Sequence, residues 1–150
     1  MENKKLKTYV LTLSRVFPKS HKRSGEPTNF GDAFRRTKLH TIRANYLLWY
    51  ARFQEIAKGA ACLSVRQWSG KPYQSKQVEI ARLTAEDGIG LQRLDFYDSL
   101  DCFEIDFTEC ADVDDLAAND GLSLEDWREW FKGYDITQPM AVIQFTEFRY

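Results

Sequence analysis

A stretch of six residues beginning at Lys38 carries the side chains of this sequence that are best suited to chemistry. Lys38, His40, Thr41 and Arg43 place an amine, an imidazole, a hydroxyl and a guanidinium close together. The Thr41 hydroxyl can act as a nucleophile when a base takes its proton, and the planar Arg43 fork suits an oxyanion or a phosphate. Lys38 would serve as that base only if burial or a nearby cation such as Arg43 lowered its pKa from the reference value of about 10.4.

The local geometry of this stretch leaves two interpretations open. In an extended segment successive side chains alternate, so Thr41 and Arg43 share one face and Lys38 leaves from the other. A bend at either end would bring Lys38 and Thr41 together. The alternative is a polar turn that leads into the following helix.

Length and composition predict one domain spanning residues 1–150. The chain is 43% hydrophobic and 29% charged, which is typical of a folded globule. No apolar run approaches the roughly 18 residues needed to cross a bilayer, and residues 1–7 are charged, unlike a signal peptide. We therefore expect a cytoplasmic protein without a membrane partner.

The cysteines and histidines argue against a metal or cofactor site. Cys62, Cys102 and Cys110 are widely spaced, and two histidines, His21 and His40, complete no ligand set with them. We expect buried, reduced thiols, no bound metal and no cofactor.

Charge is divided unevenly along the chain. Residues 1–82 contain 17 Lys and Arg against 5 Asp and Glu, whereas residues 83–150 contain 4 against 17. This division indicates either an anionic partner for the first half or neutralisation between the two halves in the folded molecule.

A long basic loop is predicted at about residues 15–37. Pro18, Gly25, Pro27 and Gly31 interrupt regular structure there, among several Lys and Arg residues. Such a loop can follow phosphate groups. The alternative is a solvated surface excursion.

The remaining elements are predicted from periodicity and capping signals. Asn45 is a helix N-cap, and Trp49, Phe53 and Ile56 recur at helical spacing before Gly59. Strands are expected at 7–14, 60–68, 75–83, 90–97, 102–108 and 140–148, and further helices at 113–118 and from the Ser123 cap to Gly133. This order predicts an α+β fold with two to three helices and a curved or closed sheet.

The predicted hairpin offers three further ligand-binding candidates. Trp68 or Tyr73 could stack on an exposed base, and Arg66 could reach a ligand from the same strand face as Trp68. The alternatives are a core position for Trp68 and an exposed salt-bridge partner for Arg66.

Taken in order, these features resemble an ASCH domain, a branch of the PUA-like β-barrels. The resemblance runs from about Thr8 to Phe148 and rests on three matches: a Lys-x-x-Thr-x-Arg motif at Lys38, the strand after Gly59, and a closing Val-Ile-x-Phe strand. It implies a barrel with a cleft for RNA or a nucleobase-like ligand. Some small members resemble amidohydrolases that deacylate N-acetylated cytidine through a Lys, a Thr and a Glu.

The resemblance carries these roles to Lys38, Thr41 and Asp120, where Asp120 is one methylene shorter than the family Glu. Our first hypothesis is a domain that binds RNA or a modified nucleoside. The second is an amidohydrolase, and the third is a non-catalytic protein-interaction domain with a filled or closed cleft. An Asp120 carboxylate within hydrogen-bond reach of Thr41 or Lys38 would favour catalysis, and one that points to solvent would favour binding alone. The sequence leaves the oligomeric state open.

Overall fold

The computed structural model describes residues 5–150, so the first four residues of the charged N-terminal segment lie outside the described part. The elements are β1 (Lys7–Thr12), α1 (Phe30–Ala33), β2 (His40–Arg43), α2 (Tyr46–Ala57), β3 (Ala61–Trp68), β4 (Gln77–Leu83), β5 (Gly90–Tyr97), β6 (Ser99–Ile105), α3 (Val113–Asn119), α4 (Leu124–Phe131) and β7 (Met140–Gln144), with a 3-10 helix at Ala85–Asp87. The predicted α+β class is confirmed.

The strands of the described chain form two sheets. The first has the order β1-β3-β4, with β1 parallel and β4 antiparallel to β3. The second is antiparallel throughout and has the order β2-β7-β5-β6. Two sequence-distant strands, β2 and β7, are therefore neighbours, and this pairing fixes the position of the Thr41 segment.

Strand β7 is buried on both faces and separates two apolar cores. Ala141 and Ile143 pack with residues of the first sheet and of α2, whereas Met140 and Val142 pack with α3 and α4. Because side chains alternate along a strand, one short apolar run serves both cores. The second sheet is thus the central layer of the molecule.

The capping signals are confirmed. The Asn45 side chain accepts a hydrogen bond from the Leu48 amide at 3.3 Å and begins α2, and the Ser123 side chain accepts from the Asp126 amide at 3.1 Å and begins α4. The three apolar residues that recur at helical spacing in α2, namely Trp49, Phe53 and Ile56, are buried on its core face.

Several expectations about local structure are wrong. The closing strand predicted at 140–148 ends at Gln144, and the first strand predicted at 7–14 ends at Thr12. The described residues contain four α-helices rather than two or three, because a single turn, α1, forms inside the basic loop. The strand predicted at 102–108 ends at Ile105, since Asp106 and Phe107 adopt positive φ and reverse the chain. Of the thiols, Cys62 is buried as expected, but Cys102 and Cys110 are exposed.

The basic loop packs against α4. His21 is buried: its ring accepts a hydrogen bond from the Arg23 amide at 2.9 Å and lies 3.0 Å from the Asp126 carbonyl oxygen. Arg23 also pairs with the Asp126 carboxylate, and Lys22 pairs with Glu125. Part of the positive charge of the first half is therefore neutralised by the second half within the fold.

No helix in the described range 5–150 is long and apolar enough to span a membrane.

Candidate active site

A cavity of about 120 Å³ lies where α1, β2, α4 and the turn between α3 and α4 meet. Polar groups and apolar walls both contribute to it. Its polar lining residues are Ser14, Lys38, Thr41, Arg43, Asp120 and Tyr134, and its other lining residues are Phe30, Ile42, Leu122, Trp130 and Phe131. Four residues singled out from the sequence, Lys38, Thr41, Arg43 and Asp120, thus meet at one cavity.

Lys38 is almost fully buried and is held by Asp120. Its Nζ donates hydrogen bonds to the Asp120 carbonyl oxygen at 2.7 Å and to the Asp120 carboxylate oxygen Oδ1 at 2.9 Å. Nζ also lies 4.0 Å from the centroid of the Phe30 ring. Two oxygens and an aromatic ring therefore replace the water that a surface ammonium would bind.

The approach of Lys38 to Asp120 depends on the chain reversal that ends α3. Leu39 donates its amide to the Asn119 carbonyl oxygen at 2.7 Å, which aligns the segment before β2 with the end of the helix. Gly121, which directly follows Asp120, has φ +81°, and a Cβ there would lie 3.0 Å from Lys38 Cβ. A glycine at this position therefore satisfies both the turn and the Lys38 stem.

Thr41 and Arg43 share one face of β2. Thr41 is paired with Ile143 and Arg43 with Ala141, so both lie on the side of the core that contains those β7 residues. Arg43 donates through Nη2 to the Thr12 carbonyl oxygen at 2.7 Å. The Thr41 hydroxyl has no hydrogen-bond partner among the described residues and lines the cavity. Lys38 precedes β2, and it lines the same cavity as Thr41.

Burial and charge act in opposite directions on the ionisable groups. Burial lowers the pKa of Lys38 against the opposing effect of Asp120. Burial alone would raise the pKa of Asp120, but Lys38 and His40 together hold it below its usual range. Burial also lowers the pKa of Arg43. Asp120 is therefore ionised at neutral pH, and Lys38 releases its proton more readily than a lysine in water.

His40 is a residue of this site that sequence reasoning did not assign. It is buried on the face of β2 opposite Thr41, with Nδ1 3.6 Å from Asp120 Oδ1 and Nε2 2.6 Å from the Tyr150 hydroxyl. The position of His40 inside the Lys-x-x-Thr-x-Arg motif could have indicated that it belongs to the site. Nothing in the sequence indicated Tyr150, which is 110 residues away from His40.

The other three ligand-binding candidates lie outside the cavity. Arg66 donates to the Ser64 hydroxyl at 2.9 Å and to Gln77 at 3.4 Å. The Trp68 and Tyr73 rings pack against each other with centroids 5.0 Å apart, and Tyr73 is 89% exposed. Trp68 is half-buried. These rings therefore form a separate surface on the β3–β4 hairpin.

The aromatic walls of the cavity had no role assigned from the sequence. Trp130 and Phe131 lie in the helix predicted between Ser123 and Gly133, and Phe30 lies in the basic loop. Within residues 5–150 no three His, Cys, Asp or Glu side chains are grouped as metal ligands would be.

The cavity thus combines an unengaged hydroxyl at Thr41, an ionised carboxylate at Asp120 and two cations at Lys38 and Arg43. A nucleophile, a proton acceptor and donors for a developing negative charge are the components of acyl transfer. Comparisons of the chain with family models, with curated proteins and with solved structures gave no match.

Proposed function

We propose that this cavity is the active site of an amidohydrolase that removes a small acyl group from N-acetylated cytidine or a similar nucleoside. The observation that carries the proposal is the buried Lys38–Asp120 pair, which lines the same cavity as Thr41. A buried ion pair has a desolvation cost that a purely structural site could avoid with apolar side chains. Buried titratable groups that line a cavity are characteristic of catalytic sites.

The proposed reaction uses each polar group once. Asp120 takes the proton of Thr41 as its oxygen attacks the amide carbonyl carbon, and the resulting oxyanion is stabilised by Arg43. The Lys38 ammonium protonates the nitrogen as the C–N bond breaks, which leaves an acyl ester on Thr41. The proton on Asp120 then passes to the Lys38 amine along their hydrogen bond, which restores both charges. Water hydrolyses the ester, which releases the carboxylic acid and restores the Thr41 hydroxyl.

The cavity volume supports a small acyl group. Pockets that enclose a whole drug-sized ligand usually measure about 300–1,000 Å³, and this one measures about 120 Å³. Only the acyl end and the amide nitrogen would be enclosed. The rest of the nucleoside would lie at the opening.

The experiment that tests this proposal is turnover of N-acetylated cytidine by the purified protein, with two substitutions at Thr41. Thr41→Val keeps the side-chain shape and removes the nucleophile, so we expect it to abolish hydrolysis. Thr41→Ser is the matched control, because it keeps a hydroxyl and should retain measurable turnover. Absence of hydrolysis by the wild type, or undiminished hydrolysis by Thr41→Val, would contradict the proposal.

A second candidate function is binding of RNA or a modified nucleoside without turnover. The paired Trp68 and Tyr73 rings favour it, because the exposed Tyr73 ring, near Lys71 and Lys76 in sequence, offers stacking and phosphate contacts for single-stranded RNA. Tyr73→Ala should then weaken binding of a short RNA, and the affinity should fall steeply with salt. The matched control is Tyr97→Ala, which removes an exposed tyrosine from β5. Equal affinity for wild type and Tyr73→Ala would contradict this function.

We also propose that the chain adopts the ASCH type of PUA-like barrel. What supports this is a shared core: β1 and β3 of the first sheet and β7 of the second contribute to one apolar cluster, so the two sheets enclose it together. The open cavity supports the first two functions over an interaction domain, for which we expected a filled or closed cleft.

A further inference from the structure

A chain of buried polar groups leads away from the cavity behind Asp120. Asn119 Nδ2 lies 3.1 Å from the Tyr150 hydroxyl, and that hydroxyl lies 2.6 Å from His40 Nε2. The other ring nitrogen, His40 Nδ1, lies 3.6 Å from Asp120 Oδ1 and has no hydrogen-bond partner among the described residues. The chain therefore ends at the carboxylate that the proposed reaction uses as its base.

The Asn119 amide at one end of this row of polar groups and the Asp120 carboxylate at the other determine which atom carries the proton in each contact. Asn119 donates through its amide nitrogen, so the Tyr150 oxygen accepts and its own proton is available for His40 Nε2. A protonated Nδ1 then faces the ionised carboxylate of Asp120. The other neutral tautomer would turn a lone pair toward that carboxylate, which is electrostatically unfavourable.

Tyr150 is fixed independently of His40. Its amide donates to Gln92 Oε1 at 2.9 Å, and its carbonyl oxygen accepts from Gln92 Nε2 at 3.3 Å. Gln144 donates to the same Gln92 oxygen at 3.0 Å, and this links Tyr150 to β5 and β7. Removal of the Tyr150 hydroxyl alone would therefore leave the residue in place.

We propose that His40 and Tyr150 are positioning residues: the His40 Nδ1–H, oriented by Tyr150, attracts the Asp120 carboxylate at Oδ1 across 3.6 Å, so that Oδ2 is the oxygen presented to Thr41. This role rests on the proposed function. The charged and titratable groups around Asp120 are Lys38, Arg43, His40 and Tyr150. His40 and Tyr150 do not line the cavity, so they act through Asp120.

The first test measures the His40 tautomer by long-range ¹H–¹⁵N correlation spectra of the full chain at neutral pH. We expect the proton on Nδ1, and we expect Tyr150→Phe to weaken this preference because Nε2 loses its donor. A proton on Nε2 in the wild type would overturn the proposal. The measurement needs no turnover, so it stands even if N-acetylated cytidine is not hydrolysed.

The second test measures kcat, KM and the pH profile of N-acetylated cytidine hydrolysis for Tyr150→Phe and His40→Gln. We expect kcat to fall about 10-fold with KM unchanged, because a carboxylate held less firmly meets Thr41 less often in the productive geometry. We also expect the acid limb of the profile to move to higher pH, since the Nδ1–H that favours the ionised form of Asp120 is removed in His40→Gln and less firmly fixed in Tyr150→Phe. Tyr97→Phe is the matched control: its hydroxyl contacts Glu104 at 3.1 Å on an exposed strand.

The outcomes separate this proposal from the proposed function. Loss of stability in both variants, with kcat and the acid limb unchanged, would overturn the positioning role and leave the amidohydrolase intact. If the wild type does not hydrolyse the substrate but His40 carries its proton on Nδ1, the amidohydrolase function is overturned, whereas the proposed orientation of His40 toward Asp120 is supported.

Discussion

Lys38 occupies an environment that costs free energy unless each of its protons has a partner. The Asp120 carbonyl oxygen, the Asp120 carboxylate and the face of Phe30 supply these partners. Truncation of either charged residue would leave the other buried and unpaired, at a cost of about 3–5 kcal/mol. This is why Thr41, whose hydroxyl has no partner in the described chain, is the better position for a test of catalysis.

The lowered pKa of Lys38 predicts the alkaline limb of the rate profile. In the proposed reaction Lys38 must be protonated to act as the acid, and burial lowers its pKa from the usual value. Turnover should therefore fall with rising pH before about 10.4, the reference value for lysine. The measurement is kcat for N-acetylated cytidine between pH 7 and 10.5, with circular dichroism at each pH as the control for folding. A rate that rises throughout this range would instead assign Lys38 as the base.

The absence of a side chain at Gly121 leaves room for the side chain of Lys38. Gly121→Ala would introduce both a positive-φ penalty and a contact with Lys38 Cβ at 3.0 Å. Gly59 is the matched control, because it has φ +76° but open space around its Cα, so Gly59→Ala introduces the φ penalty alone. We expect Gly59→Ala to cost about 1 kcal/mol and Gly121→Ala to cost more. The measurement is urea denaturation, and equal losses would show that Lys38 tolerates the added methyl group.

At the scale of the elements, the basic loop depends on one buried side chain. His21 joins the Arg23 amide to the Asp126 carbonyl oxygen, and thereby the loop to α4. Because His21→Ala would remove the acceptor of the Arg23 amide and the contacts of the buried ring with Phe17 and Trp130, we expect it to lower the free energy of unfolding by about 1–3 kcal/mol. Lys22→Ala breaks only an exposed, solvent-screened ion pair with Glu125 and should cost less stability than His21→Ala. Similar losses in the two variants by chemical denaturation would contradict the role of His21.

Sequence reasoning located the elements whose boundaries are set by local chemistry. Asn45 and Ser123 begin helices because their side chains bond to amides three residues later, which is visible in the sequence. The end of β6 was missed because Asp106 and Phe107 adopt positive φ, a conformation more typical of glycine. The single turn of α1 was too short for a periodic signal.

The site residues can likewise be separated into those indicated by their spacing in the sequence and those brought together only by long-range contacts. Lys38, Thr41 and Arg43 are within six residues, so their spacing was informative. Asp120 is 82 residues from Lys38 and was reached only through the family resemblance. Tyr150 approaches His40 because β2 pairs with β7, a pairing between distant segments that periodicity alone does not predict.

For the molecule as a whole, the division of charge is reflected in ion pairs between the two halves of the sequence. Lys22, Arg23 and Lys38 of the basic half pair with Glu125, Asp126 and Asp120 of the acidic half. Two of these pairs are at the contact between loop and α4, and the third is at the cavity. Neutralisation within the fold therefore accounts for part of the asymmetry.

The buried groups of the site also predict how the whole molecule responds to acid. Burial lowers the pKa of His40, so the folded chain keeps this ring neutral while the unfolded chain protonates it below about 6.5. The unfolded state then binds more protons, and stability falls as the pH decreases from that value. Asp120 acts in the same direction at lower pH, because its folded pKa is also lowered and its stabilising ion pair is lost on protonation.

A comparison of wild type with His40→Gln isolates the contribution of this one ring. The free energy of unfolding, measured in urea between pH 7.5 and 4.5, should decrease more steeply with acidification in the wild type than in the variant. The difference in slope should approach about 1.4 kcal/mol per pH unit below pH 6, which corresponds to one proton. Parallel slopes would mean that His40 is protonated equally in both states, and a carboxylate at 3.6 Å would then be facing an imidazolium rather than a neutral ring.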